Sequence, residues 1–304
     1  MLLVMILKKI KRKIYKLFHP VQGTIFMLHR VVEERSELIA NRNLELTPDF
    51  LEKVILSYQS KGYRLLNLDE VEDQLSGRKF YSKKFVCFTL DDGYRDNFEI
   101  AYPVFKKYNC PFTIYVATDF PDNKAVIWWY VLEDIIMAHD ALHLTDGSSF
   151  KCSTTEEKNA TFYTIHKMIS GVNPIHLKTT FIEWFSDYEF SFDQKVKELS
   201  LTNEQIRLLA NYSLCTIASH TVSHPRLGDL TIDQQRTEMV DSKLKLEQLI
   251  QKEVVHFSYP FGHHNADSIR LAKECGYKTA TFAWGGQTRK GQTAWSLTRE
   301  ILTE

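Results

Sequence analysis

The stretch FVCFTLDDG, residues 85–93, joins an apolar run to two adjacent carboxylates and a glycine. Nearly every position before the carboxylates is apolar, which is typical of a strand buried on both faces of a parallel sheet. Asp91 and Asp92 follow where this strand should end, and Gly93 allows a sharp turn. Parallel α/β proteins place their reacting groups at the carboxyl ends of their strands. The stretch therefore predicts an α/β fold and one wall of a functional site.

Six further runs, rich in β-branched and aromatic residues, have a similar character and alternate with helical patterns. These predicted strands are residues 24–30, 63–68, 112–118, 214–220, 254–260 and 277–283. Thr47 and Pro48 are placed to begin a helix that Gly62 ends. Thr231 begins a second helix with a capping box, and Gly276 ends a third. Repeated strand–helix units predict a parallel sheet, either open or closed into a barrel.

The segment from about residue 119 to 213 interrupts this alternation. It is far longer than the connection between two parallel strands requires. Residues 126–142 and 154–169 within it are helical by pattern. We interpret the segment as a helical insertion on the face that carries the loops, where it would serve as a lid or as a substrate platform.

The composition is that of a globular protein with ample core: 304 residues, 44% hydrophobic and 25% charged. Lys plus Arg and Asp plus Glu both total 38, so the chain lacks the basic excess that neutralises phosphates. This balance argues against nucleic acid as the main partner. The five cysteines are scattered without a C-x-x-C pair, which indicates a reducing compartment.

The first 18 residues, MLLVMILKKIKRKIYKLF, place a short apolar run before a basic cluster. A secretory signal has the opposite order, and a membrane span needs roughly 20 apolar residues. On a helix these residues form a basic amphipathic pattern, which either lies on an anionic membrane surface or packs on the body of the protein. We therefore expect a segment 1–20 ahead of one catalytic domain at 21–304. We also expect a cytoplasmic protein with peripheral membrane contact through residues 1–18.

A second group of polar residues lies at the end of the run LCTIASHTVSH, residues 214–224. If this region is helical, His220 and His224 share one face, as chelation of a metal requires. A carboxylate from a neighbouring strand end would complete a site of two histidines and one carboxylate with open positions. The remaining aspartate would be free to act as a general base. Either motif alone can be an ordinary turn, but their occurrence at two strand ends favours a metal site.

Three stretches together carry a resemblance to a known family. TLDDG (89–93) and SHTVSH (219–224) resemble the first two motifs of the polysaccharide deacetylases, carbohydrate esterase family 4, and FSYPFGHHN (257–265) is similar to the third. The resemblance covers residue 24 to the C-terminus except the insertion. It implies a distorted, incomplete (β/α) barrel of about seven parallel strands. It also implies a hydrolase that removes acetyl groups from N-acetylated sugars.

Carried over by position, the resemblance assigns roles to the motif residues. Asp91 becomes the base that deprotonates a metal-bound water, and the metal ligands are Asp92, His220 and His224. Zinc is the expected ion, although other divalent ions suit these ligands. The third motif supplies the substrate and oxyanion residues, with the backbone N–H of Phe261 as the expected donor: Tyr259, Pro260, Phe261 and Gly262.

The chain departs from the family pattern in two places. Ser258 stands where many relatives have an arginine, and no histidine follows His264, although many relatives take their general acid from a late motif. Some members take it from an N-terminal strand end resembling MLHRV (27–31), so we assign His29 as the acid, with His263 or His264 as the alternatives.

Three further residues are weaker candidates for the site. Arg95 or Arg299 would replace the missing arginine and orient the carboxylates, unless each forms an ordinary ion pair. Trp284 would stack on a sugar ring, as other tryptophans could, or would belong to the core.

These inferences predict a metal-dependent hydrolase acting on an N-acetylated sugar of a bacterial surface polysaccharide or its lipid-linked precursor. Two alternatives remain open at this point. A member of the same fold that lacks catalysis could keep the groove and bind carbohydrate only. A two-histidine, one-carboxylate site could instead hold non-heme iron for oxygen chemistry.

Overall fold

A computed structural model describes residues 19–80 and 82–304 of the chain. Its strands are β1 Val21–Leu28, β2 Arg30–Val31, β3 Glu45–Leu46, β4 Arg64–Leu65, β5 Phe85–Leu90, β6 Phe112–Val116, β7 Ala141–His143, β8 Ser149–Lys151, β9 Cys215–Ser219, β10 His256–Ser258, β11 Thr279–Gly285, β12 Thr288–Arg289 and β13 Leu297–Ile301. Its α-helices are α1 Ile39–Arg42, α2 Pro48–Ser60, α3 Leu68–Leu75, α4 Tyr102–Lys107, α5 Trp128–Ala138, α6 Thr155–Ser170, α7 Leu177–Trp184, α8 Phe192–Leu199, α9 Asn203–Ala210, α10 Ile232–Ile250 and α11 Ala266–Glu274.

Seven of these strands close into a barrel in which every neighbouring pair is parallel. The order around the barrel is β1, β5, β6, β9, β10, β11 and β13, which returns to β1. The predicted α/β barrel of about seven parallel strands is therefore confirmed. Closure brings the carboxyl ends of all seven strands to one face, which is where such barrels build their sites.

One predicted strand lies outside the barrel and one barrel strand was not predicted. The run at 63–68 forms only the short β4, which pairs with β5 alone. The barrel is instead closed by β13, between β11 and β1. The sequence of β13, LTREI, lacks the apolar character of a buried strand because Arg299 faces inward. A fully buried arginine needs a partner, and that partner belongs to the site described below.

Strand β5 alternates between two layers of core. One set packs inside the barrel with residues from β1, β6 and β13, and the other set packs under the surrounding helices. The inward set is Phe85 and Cys87, and the outward set is Val86, Phe88 and Leu90. This alternation points Asp91 inward, and the same alternation from Leu297 points Arg299 inward.

The helix boundaries follow the sequence signals. The Thr47 hydroxyl accepts a hydrogen bond from the Phe50 amide at 3.3 Å, and Pro48 is the first residue of α2. Thr231 and Gln234 form the predicted capping box of α10. Gly62 and Gly276 take positive φ angles of 74° and 83° just past α2 and α11, a conformation that costs glycine little.

The segment between β6 and β9 contains α5 to α9, as the predicted insertion requires. The first helix ends at Ala138, earlier than predicted, and a hairpin of β7 and β8 follows it. The helices α5 to α8 and the hairpin share an apolar core that also includes Tyr94 and Ala117, which follow β5 and β6, whereas α9 packs against the main core of the barrel. The insertion therefore packs on the barrel face that carries the strand ends.

The basic helix predicted for residues 1–18 lies outside the described residues, so it stays a prediction. Within the described part of the chain, no helix combines the length and apolarity needed to cross a bilayer.

Candidate metal and catalytic site

Barrel closure brings two strand ends together that are not neighbours in the sheet. Asp92 follows β5 and His220 follows β9, with β6 between them. Asp92 Oδ1 lies 3.4 Å from His220 Nε2 and 3.1 Å from His224 Nε2. One ligand atom from each of the three residues falls within 4.8 Å of the others. This is a compact set of one carboxylate and two imidazoles.

The two histidines are joined by a turn and not by the predicted helical turn. Thr221 and His224 have positive φ angles of 72° and 57°, and Pro225 follows directly. The Glu238 carboxylate, from α10, accepts hydrogen bonds from the Val222 amide at 2.8 Å and the Ser223 amide at 3.0 Å. Left-handed backbone is costly for residues other than glycine, so these contacts hold a strained turn in place. Although no helix forms between them, the two imidazoles still converge on Asp92.

The donors fit a divalent cation. His220 Nδ1 lies 2.8 Å from the backbone oxygen of Ser258, which can only accept a hydrogen bond, so Nδ1 donates and Nε2 is turned towards Asp92. Asp92 Oδ1 is buried without a hydrogen bond of good geometry among the described residues. Burial alone would raise the pKa of Asp92, but His224 and His220 outweigh it and hold that pKa well below its usual value. Two imidazoles and a carboxylate are the donors that zinc accepts in catalytic sites.

Asp91 is held by Arg299 in a bidentate ion pair. Arg299 donates from Nη1 to Asp91 Oδ1 at 2.7 Å and from Nη2 to Asp91 Oδ2 at 2.6 Å. The same guanidinium also donates to Thr89, Ser258 and the Phe282 carbonyl, so all its nitrogens have partners. Burial raises the pKa of Asp91, but the Arg299 charge outweighs this effect and leaves the pKa below its usual value. Asp91 Oδ2 lies 3.8 Å from His220 Nε2, so this ionised carboxylate adjoins the three candidate ligands.

The stretch 259–262 forms the wall of the site after β10. Phe261 has a φ of 54°, and its ring centroid lies 4.6 Å from that of His224. The Phe261 amide makes no hydrogen bond to another described residue, so it remains available to a ligand. Tyr259 and Pro260 are buried, and the Tyr259 hydroxyl donates to the Trp295 carbonyl at 3.1 Å. Within this stretch, the free amide of Phe261 is the group that can receive an oxyanion.

His29 follows β1 on the same face of the barrel. The Asp91 amide donates to the Leu28 carbonyl at 2.9 Å, and Asn97 donates to the His29 carbonyl at 2.8 Å. Loss of hydration lowers the pKa of His29, although Asp92 and Asp91 act in the opposite direction. The ring makes no hydrogen bond to another residue in the ranges 19–80 and 82–304.

The remaining candidates separate clearly. Arg95 donates to the backbone carbonyls of Lys197 and Ser200, and it contacts neither aspartate within the described chain. Arg299 is thus the arginine that orients a carboxylate, and the suggestion for Arg95 has no structural support. Trp284 is 55% exposed at the end of β11, where it packs beside Gly262.

The two alternative acids have other partners. His263 Nε2 lies 3.2 Å from Arg226, and His264 stacks on Phe282 with ring centroids 4.0 Å apart. Neither imidazole contacts Asp91 or Asp92 among the described residues.

The sequence did not predict the contacts that two residues near the site make. Ser258 was noted only as a missing arginine, yet its backbone oxygen orients His220 and its hydroxyl accepts from Arg299 at 2.9 Å. Glu238 carries no signal at all, because it lies on a long helix rich in charged residues where a carboxylate is ordinary.

Comparison with known proteins gives one family. The family model described as polysaccharide deacetylase matches residues 78–143 and 148–280, more than half of the chain. The match includes the candidate metal ligands and Asp91 but not His29, Trp284 or Arg299.

Individual relatives agree with that match. A curated relative, the putative polysaccharide deacetylase YxkH of Bacillus subtilis, is 24% identical over 92% of this chain and 71% of its own length. The Streptococcus pyogenes deacetylase PplD, solved in complex with acetate, superposes with a TM-score of 0.63 and 24% identity, covering 93% of each chain. A de-N-acetylase from Aggregatibacter actinomycetemcomitans superposes with a TM-score of 0.60 and 15% identity, covering 92% of this chain and 95% of its own. These structures share the fold.

Proposed function

Since the chain belongs to the polysaccharide deacetylase family, whose members are hydrolases, we propose that it uses a divalent metal ion to remove an N-acetyl group from a sugar. The observation that carries this proposal is the meeting of Asp92, His220 and His224 beside an ionised, arginine-bound Asp91. A family member that had lost catalysis would have no need to keep both the candidate metal ligands and the paired Asp91.

Asp92, His220 and His224 would hold the ion. When bound there, a divalent cation would polarise the amide carbonyl and bring the pKa of a coordinated water towards neutrality. Zinc is the expected ion because its catalytic sites use three nitrogen and oxygen ligands and leave a position open. The family membership argues against the iron alternative, since it assigns hydrolysis to this fold.

Asp91 would act as the general base. Its pKa lies below the usual value, so it is ionised at neutral pH and able to accept a proton from the attacking water. Arg299 fixes the direction of both carboxylate oxygens and would keep Asp91 from becoming a fourth ligand. The amide of Phe261, which has no hydrogen-bond partner among the described residues, would donate a hydrogen bond to the developing oxyanion.

His29 would act as the general acid. An amine leaves an amide poorly, so its nitrogen must be protonated as the C–N bond breaks. His29 follows β1, the barrel neighbour of β5, and the negative charges of Asp92 and Asp91 act to raise its pKa. Burial lowers its pKa, so the imidazole would have to take up a proton before it donates one to the departing nitrogen, and the charges of Asp92 and Asp91 favour that uptake.

The substrate would be an N-acetylated sugar of a bacterial surface polysaccharide or of its lipid-linked precursor. The exposed Trp284 ring would stack on a neighbouring sugar, because the C–H face of a pyranose suits an aromatic surface. This role rests on the exposure of Trp284 and on its packing beside Gly262.

The test is release of acetate from a panel of N-acetylated oligosaccharides by the zinc-loaded protein, with and without chelator. We expect turnover that chelation abolishes and added metal restores. Asp91→Asn should abolish turnover and retain one bound metal ion, whereas His220→Ala should lose both. Equal metal loss in the two variants would contradict the division of roles, and metal binding without turnover on any sugar would indicate a binding protein.

A further inference from the structure

A cavity of about 730 Å³ lies between the insertion and the barrel, and it begins at the candidate metal site. His224 and Phe261 line one end of it. From there it extends between α6, the segment leading into α7, and the start of α10. Its volume is in the range of pockets that enclose most of a small ligand.

The free surface of the cavity is mostly apolar. The apolar lining includes Phe120, Trp129, Ile169, Val172, Ile175 and Leu230. The indole nitrogen of Trp129 already donates to the Tyr94 hydroxyl at 3.0 Å, so this ring offers the cavity only carbon.

Several of the polar side chains in the lining are already bonded to other protein groups. The Ser223 hydroxyl donates to Glu238 at 2.6 Å, and Glu238 also accepts the two backbone amides described above. Arg226 donates to the Ser170 carbonyl at 2.9 Å and pairs with Asp229 at 3.0 Å. A glycan chain needs many hydrogen-bond partners, whereas a hydrocarbon needs none.

We propose that this cavity binds a hydrocarbon chain that the acetylated sugar carries as its aglycone, so that the enzyme acts on a lipid-linked sugar. This inference rests on the proposed deacetylation. The acetyl group is too small to fill a cavity of this size, which leaves room beside the site for the aglycone of the substrate. Ile175, which is 62% exposed, provides an apolar residue where the lining meets solvent.

The experiment compares methyl, hexyl and decyl glycosides of N-acetylglucosamine below their critical micelle concentrations. KM for turnover and Kd from calorimetry are measured on the zinc-loaded protein. Each buried CH2 contributes up to about fourfold in affinity, so we expect KM and Kd to fall steeply from methyl to decyl. A methyl glycoside with an N-decanoyl group carries the same chain on the acyl side, and we expect no gain from it.

A pair of variants ties the effect to the cavity. Ile175→Lys places a charge in the lining and should remove most of the gain from the decyl chain, measured as the ratio of KM for the methyl glycoside to KM for the decyl glycoside. Ile182→Lys is the matched control, because Ile182 is 45% exposed in the same insertion but does not line the cavity. It should keep the full gain.

The outcomes separate this inference from the proposed function. Turnover with equal KM and Kd across the series, or a gain that both variants keep, would overturn the cavity inference alone. A gain with the N-decanoyl amide in place of the decyl glycoside would overturn it in favour of an acyl pocket. Binding that rises with chain length and is lost in Ile175→Lys, without turnover of any glycoside, would support the cavity and contradict the deacetylase proposal.

Discussion

At the scale of single residues, the site depends on how two adjacent aspartates are separated. Asp92 has a φ of 78° and faces the imidazoles, whereas Asp91 faces Arg299. The arginine absent at position 258 is replaced by one from the last barrel strand, and Ser258 bonds to it. A buried charge without its partner costs several kcal/mol. Arg299 and Asp91 therefore depend on each other for stability as well as for orientation.

The first prediction concerns His29. His29→Gln should reduce kcat for an N-acetylated sugar by about 10²–10⁴-fold, because the leaving amine loses its proton donor. Hydrolysis of 4-nitrophenyl acetate should change far less, since nitrophenolate leaves without protonation. His264→Gln is the control and should leave both rates unchanged. Equal losses on amide and ester in His29→Gln would show that His29 is not the acid.

The second prediction concerns pH. The Arg299 charge keeps the pKa of Asp91 in the folded protein below its usual value, so the base stays ionised near neutral pH and the ion pair stabilises the fold there. This stabilisation is lost as the pH falls through the lowered pKa. In Arg299→Gln the pKa of Asp91 should rise by about 1–3 units, which moves the acid limb of kcat/KM to higher pH.

Two variants control the pH experiment. Arg299→Lys keeps a positive charge, so the acid limb of this variant should lie between that of the wild type and that of Arg299→Gln. Arg95→Gln removes an arginine that contacts neither aspartate among the described residues, and it should leave the profile unchanged. An acid limb that is the same in the wild type and in a folded Arg299→Gln would exclude Asp91 as the titrating base.

At the scale of elements, the turn from His220 to His224 shows what a spacing can and cannot predict. The spacing of four residues correctly predicted that the two imidazoles lie together. The helical turn that was expected to bring them together does not form, and a strained turn takes its place. The turn depends on a carboxylate from α10, which lies far along the chain and has no local signature. Likewise, β13 closes the barrel although its inward residue, Arg299, is charged. Its burial is possible because Asp91, which follows β5, is its partner. Features set by distant partners could not be predicted from local pattern.

The third prediction tests the support of this turn. Glu238→Ala removes the acceptor for two backbone amides and should weaken zinc binding by about 10–100-fold, as loss of outer contacts at metal sites does. Glu238→Gln keeps an acceptor oxygen and should recover part of the affinity. Asp241→Ala, which removes an exposed carboxylate from the same helix, is the control. Competition with a chromophoric chelator measures the affinities, and equal affinity in all variants would exclude a positioning role.

At the scale of the whole molecule, closure of the barrel creates the site. The chemistry-bearing residues follow β1, β5, β9 and β10 or lie on β13, and no two consecutive elements could bring them together. The sequence predicted the fold class, the strand ends and the motif residues, because each of these leaves a local pattern. It did not predict the apolar cavity or its lining, because these arise where the insertion packs on the barrel.

The fourth prediction concerns that closure. A Cβ at Gly23 would lie 2.4 Å from the backbone oxygen of Phe85, its partner across β1 and β5. Gly23→Ala should lower the free energy of unfolding by about 1–3 kcal/mol, because close-packed strands cannot separate locally. At Gly171 the nearest atom is 3.4 Å from a Cβ, so Gly171→Ala should change stability little. Denaturant titration compares them, and equal stabilities would contradict the packing described.

The most direct measurement is a crystal structure of the zinc-soaked protein with anomalous data at the zinc edge. We predict one strong peak per chain, coordinated by Asp92 Oδ1, His220 Nε2 and His224 Nε2 at about 2.0–2.2 Å. Asp91 should remain paired with Arg299 and outside the coordination shell. A zinc ion bound elsewhere, or Asp92 turned away from both imidazoles in the loaded crystal, would contradict the proposed metal site.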